Sequence, residues 1–292
     1  MEKRVISGAV YTAILVGFYC LKIFVHDICF DALLYAFALI GTFEILRAFG
    51  ENTTKWQRIL TYAYAAVCIP ACALAESFFS FGLQATCLTT LVFALALLSL
   101  LVFRNEETDI NGTGHALLGG VYPTLLLSAL VLVNHAPVID GVGLGSDLLI
   151  LFVFVISPLA DVFAFLFGIS LKKVFPKKLA PTLSPNKTVI GFIGGLLGGI
   201  VAATALYFVY GAIVGGFENT ALWLPVYMAI GLLVALATAF GDLIESCIKR
   251  KVGIKDMGKI MPGHGGVLDR IDGTLLSAFV VYAAYLLLAL LI

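Results

Sequence analysis

The sequence predicts an all-α, polytopic integral membrane protein with about nine transmembrane helices, and three observations carry that prediction. Hydrophobic residues fill 61% of the 292 positions, charged residues fill 12%, and the mean hydropathy is +1.06. A soluble domain is typically about half apolar and about a quarter charged. The apolar residues also form long segments, and the basic residues gather in alternate connections between these segments.

Nine segments are long enough to cross a bilayer, which takes roughly 20 mostly apolar residues. They cover residues 5–25, 28–46, 58–75, 82–103, 116–134, 147–168, 188–214, 221–246 and 273–292. The first follows a charged start, as a signal peptide would. Its apolar run of roughly 20 residues is too long for a signal-peptide core and has no convincing small-residue cleavage site, so we interpret it as a retained helix.

The basic residues predict the orientation, because cytoplasmic loops of membrane proteins carry an excess of lysine and arginine. With the N-terminus cytoplasmic, nine spans place all 18 lysines and arginines except Lys22 on the cytoplasmic side. The C-terminus then lies outside. The predicted location is the cell (inner) membrane, as a multi-pass protein with its functional loops facing the cytoplasm.

The two largest basic clusters, 171–187 and 249–270, both flank the last four helices. We therefore predict an N-terminal scaffold of membrane helices over residues 1–146. Residues 147–292 form C-terminal membrane helices with cytoplasmic catalytic loops. Glycines spaced four apart in the seventh segment predict close helix packing there.

Polar residues at the end of the eighth segment share one helix face. Asp242, Ser246 and Lys249 stand at i, i+4 and i+7. A carboxylate, a hydroxyl and an ammonium in line at a membrane surface are typical of a metal and phosphate site. The alternative is interfacial charge that snorkels toward water, which we favour for Lys251 and Lys259.

The stretch that enters the ninth segment is harder to explain as surface charge. Gly265 and Gly266 follow His264 and allow close approach of the backbone to a ligand, as in phosphate-binding loops. Asp269 and Asp272, at i and i+3, offer oxygens to a hard cation such as Mg²⁺.

These residues belong to one longer pattern: Ser246-x-Ile248-Lys249-Arg250-x4-Lys255-Asp256-x-Gly258-x2-Met261-Pro262-x-His264-Gly265-Gly266-Val267-x-Asp269-Arg270-Ile271-Asp272. The pattern resembles the signature of the phosphatidate cytidylyltransferases, the CDP-diacylglycerol synthases. It departs only at Met261, where the family carries Leu, Ile or Phe, and methionine preserves volume and apolarity there.

A second resemblance lies upstream, in Ser184-Pro185-Asn186-Lys187-Thr188-Val189-Ile190-Gly191. It is similar to the family segment S-P-K-K-[ST]-x-E-G, with asparagine and isoleucine in place of a lysine and the glutamate. An ordinary turn before a helix is the alternative. Because neutral residues replace two charged family residues here, we expect Lys187 to act mainly on binding of an anionic substrate.

Two ionisable residues lie inside predicted spans. Asp161, in the sixth segment, is a functional candidate because a charge within the bilayer is costly. It also matches a family aspartate that precedes an aromatic residue and a glycine. Glu44, in the second segment, is interpreted as structural, because Arg47 at i+3 can pair with it.

The resemblance implies transfer of a cytidylyl group from CTP to phosphatidate, giving CDP-diacylglycerol and pyrophosphate. The expected cofactor is Mg²⁺, with a second, monovalent cation as a further expectation. The expected partners are CTP, phosphatidate, the lipid bilayer and a second copy of the chain, with no nucleic acid. The implied catalytic residues are Asp242, Lys249, Asp269, Lys255 and His264. The implied metal ligands are Asp242, Asp269 and Asp272. The implied substrate-binding residues are Ser184, Lys187, Thr188, Ser246, Arg250, Gly265, Gly266, Arg270 and Asp161.

Two other classes of protein stay open on the residues alone. A polyprenol or phytol kinase shares the many spans and the metal–phosphate chemistry, although this signature is not expected in one. An ion-coupled transporter would account for Asp161 and the glycine-rich helices. A transporter of that kind predicts repeats between the two halves, and the basic loops instead crowd into the second half.

Overall fold

The computed structural model describes residues 2–139, 142–214, 217, 220–263 and 265–292, with side chains from residue 6 onward. Within these residues, nine helices have the length and composition to cross a membrane, which confirms the predicted all-α polytopic fold. They are Ile6–Phe24, Ile28–Asn52, Lys55–Phe79, Gly82–Phe103, Ile110–Asn134, Ser146–Ser170, Val189–Val214, Thr220–Lys251 and Leu268–Leu291.

Some of these spans are built from more than one element. The helices are α1 (Glu2–Phe24), α2 (Ile28–Phe49), α3 (Lys55–Phe79), α4 (Gly82–Phe103), α5 (Ile110–Gly120), α6 (Leu126–Asn134), α7 (Ser146–Leu151), α8 (Ser157–Ser170), α9 (Val189–Val214), α10 (Thr220–Lys251) and α11 (Leu268–Leu291). A π-helical turn at Val121–Leu125 joins α5 to α6, and another at Phe152–Ile156 joins α7 to α8. Such turns are usually single wide turns inside longer helices.

Helices α3 and α5 begin at Lys55 and Ile110, before residues 58 and 116, where the hydropathy predicts the starts of these spans. Polar residues that cap the helices explain the earlier starts. At α3, the Thr54 hydroxyl accepts from the Gln57 N–H at 3.3 Å, and the Gln57 side chain accepts from the Thr54 N–H at 2.8 Å. At α5, the Asp109 carboxylate accepts from the Gly112 N–H at 2.8 Å. These bonds satisfy N–H groups that have no partner within the helix, so polar residues can form its first turn.

The chain divides into two compact units. The first unit comprises Met1–His135 and Lys251–Ile271, and the second comprises Ala136–Arg250 and Asp272–Ile292. The segment Lys251–Ile271, which carries most of the signature, therefore belongs to the same unit as the N-terminal helices. The predicted domains, 1–146 and 147–292, follow the order of the chain and do not anticipate this.

The first unit has an apolar core that includes Tyr64, Cys68, Phe93 and Leu97. The Tyr64 and Phe93 rings stack with centroids 4.4 Å apart. Cys68 is fully buried among these side chains, as expected for a cysteine that acts as a small hydrophobic residue.

Helix α2 carries a buried carboxylate near each end. Near its N-terminus, the Asp31 carboxylate accepts from the Asn134 amide at 2.9 Å and contacts the His135 ring at 2.7 Å. Near its C-terminus lies Glu44, which is fully buried. A buried carboxylate is costly unless it is paired or hydrogen-bonded, so each of these groups must have a structural or functional partner.

In the second unit, glycines bring helix backbones together. A Cβ at Gly191 would lie 2.8 Å from the Ala164 carbonyl oxygen of α8. A Cβ at Gly199 would lie 2.6 Å from the Gly231 carbonyl oxygen of α10. The prediction that these glycines serve helix packing is therefore confirmed.

A short hairpin interrupts the helices between α8 and α9. Strand β1 (Lys178–Ala180) pairs antiparallel with β2 (Ser184–Thr188), with Lys178 opposite Thr188 and Ala180 opposite Ser184. The sequence analysis treated this segment as a loop with a Ser-Pro turn. The hairpin gives the predicted substrate-binding residues Ser184, Lys187 and Thr188 a defined backbone.

Candidate active site

The predicted site residues fall into two groups, one in each unit. The second unit contains Asp161, Ser184, Lys187, Thr188, Asp242, Ser246, Lys249, Arg250 and Asp272. The first unit contains Lys255, Gly265, Gly266, Asp269 and Arg270. His264 lies outside the described residues.

The group in the second unit centres on the last turns of α10. The Ser246 hydroxyl donates to Asp242 Oδ1 at 3.4 Å, so the shared helix face predicted from their spacing is confirmed. One turn further on, Lys249 Nζ donates to Glu245 Oε2 at 3.0 Å. Glu245 is fully buried, which leaves its carboxylate dependent on neighbouring charges.

Asp272, just after the first turn of α11, belongs to the same cluster. Its carboxyl neighbours those of Glu245 and Asp242 and the ammonium of Lys249. Helices α10 and α11 approach closely here, because a Cβ at Gly241 would meet the Asp272 carbonyl oxygen. The Asp272 carboxyl thus has two other carboxyl groups as electrostatic neighbours, and nearby cations can balance this negative charge.

Lysines supply part of that balance. Lys187, on β2, forms an ion pair with Asp242 through Nζ and Oδ2. About 30% of each side chain is exposed, so both groups stay accessible to a ligand. Arg250, at the end of α10, donates from Nε to the Leu183 carbonyl oxygen at 3.5 Å and so ties the helix to the hairpin.

A cavity of about 450 Å³ lies beside the hairpin in the second unit. Its polar lining includes Asp161, Lys172, Lys187 and Thr188. Its apolar lining comes mainly from α8 and α9, with Phe165, Ile169 and Phe192 among the lining residues. A cavity with an apolar wall and a few convergent polar groups has the character of a ligand site.

The structure gives Thr188 a second role besides lining the cavity. Its hydroxyl accepts from the Gly191 N–H at 3.1 Å and caps the start of α9. Thr188 is 4% exposed. Its hydroxyl therefore positions the hairpin against α9, whereas Asp161 and Lys187 present charged groups to the cavity.

In the first unit, the segment between α10 and α11 folds back on itself. The Met261 and Gly265 backbones exchange hydrogen bonds of 2.9 and 3.1 Å. Gly263 and Gly265 have φ angles of +79° and +91°, which favour glycine. We call residues 257–263 and 265–268 the glycine loop.

Asp269 organises this glycine loop. Its Oδ2 atom accepts from the Met257 N–H and from the Gly266 N–H, both at 2.8 Å. Asp269 is buried, whereas the neighbouring Arg270 and the upstream Lys255 are exposed. Exposed cationic side chains therefore flank the loop on both sides, and the loop backbone binds a buried carboxylate.

The carboxylate groups of the predicted site residues suit a hard cation, since Mg²⁺ prefers carboxylate oxygens. Among the residues that the structure describes, however, no three His, Cys, Asp or Glu side chains form a ready metal cluster. The ammonium of Lys187 bonds to Asp242, as a cation at that carboxylate would. Metal binding at Asp242 would therefore have to displace or share that contact.

Comparison with known proteins decides the family. The sequence profile of the Cytidylyltransferase family matches residues 3–288, nearly the whole chain. This chain belongs to the cytidylyltransferase family. The family match includes both the hairpin with the α10–α11 cluster and the glycine loop, so both groups of predicted residues lie within it.

Curated relatives match a shorter part of the chain. A phosphatidate cytidylyltransferase of Staphylococcus aureus is 45% identical over 124 residues, which cover 42% of this chain and 43% of that relative. One of Staphylococcus saprophyticus is 43% identical over 123 residues, with the same two coverages. One of Mycobacterium bovis is 44% identical over 115 residues, covering 39% of this chain and 33% of the relative. The chain thus matches less than half the length of these relatives.

The sequence analysis missed two acidic residues that the structure places at these groups. Glu245 was not assigned to the site from the sequence, yet it is buried beside Asp272. Glu44 was assigned to Arg47, yet its carboxylate reaches the glycine loop. The position of Glu44 in the sequence indicates such a role, because a lone glutamate in an apolar span must have a buried partner.

Proposed function

We propose that this protein transfers the cytidylyl group of CTP to phosphatidate, releasing pyrophosphate and forming CDP-diacylglycerol. The observation that carries the proposal is the Lys187–Asp242 ion pair at the edge of a cavity with an apolar wall. Membership of the cytidylyltransferase family and similarity to phosphatidate cytidylyltransferases of Staphylococcus aureus and Mycobacterium bovis support the same reaction.

The two substrates have different physical requirements. Phosphatidate is a membrane lipid, so its acyl chains need an apolar surface and its phosphate needs cations at the interface. The cavity offers both, with Phe165 and Ile169 beside Lys172 and Lys187. CTP is a polyanion in water, and the exposed side chains of Arg250, Lys255 and Arg270 would attract its phosphates.

The chemistry that we propose is an in-line displacement. An oxygen of the phosphatidate phosphate attacks the α-phosphorus of CTP, the α–β phosphoanhydride bond breaks, and pyrophosphate leaves with its electron pair. A phosphate monoester is already ionised near neutral pH, so no strong general base is needed. Positioning and charge neutralisation by Lys249, Lys187 and the arginines then do most of the work.

We propose Mg²⁺ as the cofactor, with Asp242 and Asp272 as candidate ligands in the second unit, Asp269 as a candidate ligand in the first, and a monovalent cation as a further candidate. When bound, Mg²⁺ would neutralise charge on the phosphates and on departing pyrophosphate. In the protein alone, Lys187 pairs with Asp242, and Lys249 pairs with Glu245 and neighbours Asp272. The site faces the cytoplasm of the inner membrane in this proposal, and a homodimer is the expected assembly.

A labelling experiment on purified protein in lipid nanodiscs tests the reaction. CTP labelled in the α-phosphate should transfer its label to phosphatidate, whereas CTP labelled in the γ-phosphate should not. The γ-label should instead leave in pyrophosphate, in an amount equal to that of the lipid product. Omission of either substrate should abolish both products.

The same assay separates the other classes. A polyprenol or phytol kinase would move the γ-label to an added isoprenoid alcohol and leave phosphatidate unlabelled. A transporter would label no lipid with either nucleotide. Either result would contradict the cytidylyl transfer that we propose.

A further inference from the structure

A buried carboxylate that the proposed chemistry does not use contacts the glycine loop. Glu44, on α2, is fully buried. Its Oε1 accepts from the Val267 N–H at 3.1 Å, and its Oε2 accepts from the Leu268 N–H at 2.9 Å. Two backbone bonds to one buried carboxylate form a strong, directional contact, because charge-assisted hydrogen bonds exceed neutral ones.

The position of this contact explains why a carboxylate is there. Helix α11 begins at Leu268, so Glu44 lies at its N-terminal end. The first N–H groups of a helix have no partner within it, and the helix dipole favours a negative charge at that end. Glu44 supplies that charge from another helix, so it occupies the place that a bound phosphate would need.

Two glycines of the signature make room for Glu44. A Cβ at Gly258 or at Gly266 would lie closer than 3.0 Å to a Glu44 carboxylate oxygen, nearer than a real Cβ approaches. The sequence analysis assigned Gly266 to phosphate approach. The structure gives its missing side chain another reason, which is space for the carboxylate of the protein itself.

The same helix holds the other end of the glycine loop. Arg47, one turn beyond Glu44, donates from Nη2 to the Met257 carbonyl oxygen at 2.9 Å. The Met257 and Gly266 N–H groups are the two that bind Asp269. Glu44 and Arg47 therefore hold the backbone on both sides of the groups that orient the Asp269 carboxylate.

We propose that Glu44 is a positioning residue that anchors the glycine loop to α2 and so sets the orientation of Asp269 and Arg270. Its catalytic consequence rests on the proposed function, whereas its effect on the loop does not. Loss of the anchor should let the loop open locally, because few other contacts would replace two buried charge-assisted bonds.

Trypsin cleavage after Lys255 and Lys259, measured by mass spectrometry on protein in nanodiscs, tests the anchor without any substrate. Both lysines are exposed beside or within the loop. Glutamine at position 44 keeps the size but loses the charge and one acceptor. Glu44→Gln should speed cleavage at these sites by about tenfold or more, since cleavage tracks the population of the open form.

Asp31→Asn is the matched control. Asp31 is also a buried carboxylate on α2, but its bonds go to Asn134 and His135. This variant should lower the melting temperature while leaving cleavage at Lys255 and Lys259 near the wild-type rate. Equal acceleration in both variants would mean general destabilisation and would overturn the anchor.

A second pair of variants tests the role of Gly266. Gly266→Ala should speed loop cleavage in the wild-type background and have little further effect in a Glu44→Ala background, because the carboxylate is gone. Equal effects in both backgrounds would show that Gly266 does not make room for Glu44.

If Glu44→Gln fails to fold, Glu44→Asp replaces it in the cleavage test. Aspartate keeps the charge on a shorter side chain, so the expected acceleration is smaller.

Kinetics then connect the loop to the reaction. Glu44→Gln should lower kcat by about tenfold and change the KM for CTP by less than about threefold, because misplacement of Asp269 acts on the transition state. Glu44→Asp should recover part of the loss. If the wild type shows no turnover while Glu44→Gln is still cleaved faster than the wild type, the proposed function is contradicted and the anchor stands. Unchanged cleavage in Glu44→Gln would reject the anchor.

Discussion

At the scale of single residues, the contact between Lys187 and Asp242 changes the interpretation of the upstream segment. From sequence, the missing family lysine suggested that this segment contributes little beyond substrate binding. The structure joins Lys187 to a carboxylate of the α10–α11 cluster, so the ammonium lies where charge must be balanced before and after a substrate binds.

The first prediction concerns this lysine. Lys187→Ala should lower kcat as well as raise the KM for phosphatidate, because Lys187 lines the proposed lipid cavity and pairs with Asp242. Lys177→Ala, an exposed lysine at the start of the same hairpin, should stay within about twofold of the wild type. A change in KM alone for Lys187→Ala would return it to the purely binding role that the sequence suggested.

The second prediction concerns the carboxylates. Asp242→Asn and Asp269→Asn should each abolish turnover while the protein stays folded and inserted in the membrane. Asparagine keeps the size but loses the charge that a hard cation requires. Cytidylyl transfer and the melting temperature should be measured on the same samples. Near-normal turnover in either variant would remove that residue from the site.

At the scale of elements, glycines let the backbones of helices in the second unit approach one another closely. Gly199 of α9 faces the backbone of Gly231 and the methyl group of Ala235 on α10. Within a membrane there is little hydrophobic drive between helices, so close backbone approach and dispersion hold them together. The cavity beside the hairpin depends on this packing, because α8 and α9 form its wall.

The third prediction compares two glycines. Gly199→Ala should destabilise the protein by about 1–3 kcal/mol, as overpacking of a tight contact does, and lower its melting temperature. Gly17→Ala, on α1, has open space around the new methyl group and should be neutral or slightly stabilising. Thermal unfolding of both variants in the same detergent measures the difference. Equal effects would mean that the α9–α10 contact adapts to an extra methyl group.

At the scale of the whole molecule, the chain is a membrane protein in which each compact unit carries one group of the predicted site residues. The glycine loop belongs to the first unit and the carboxylate cluster to the second, although both meet in the sequence at α11. The orientation across the bilayer is a prediction from the basic residues.

The fourth prediction tests that orientation. In a variant whose native cysteines are replaced by alanine, a cysteine at Val138 should react with an impermeant thiol reagent from outside intact cells. A cysteine at Lys177 should react only after the cells are opened. Both side chains are exposed on segments between spans, so each should react once the reagent reaches it. Reversed labelling would place the site outside and contradict the use of cytosolic CTP.

The sequence by itself determined the nine-helix membrane fold, because a bilayer demands long apolar segments and leaves few other solutions. It also placed Asp242, Ser246 and Lys249 on one helix face, because residues three or four apart are neighbours on the surface of a helix. The resemblance in the signature pointed to the family that the profile match then confirmed.

Only the tertiary structure decided which distant residues meet. Lys187 pairs with Asp242 across 55 positions of sequence, and Glu44 binds the N–H groups of Val267 and Leu268 more than 200 positions away. No local pattern encodes such contacts, since they depend on how helices pack and on which buried charges need partners. The glycines near Glu44 illustrate the difference: the sequence showed that side chains are absent there, and the structure showed which carboxylate fills the space.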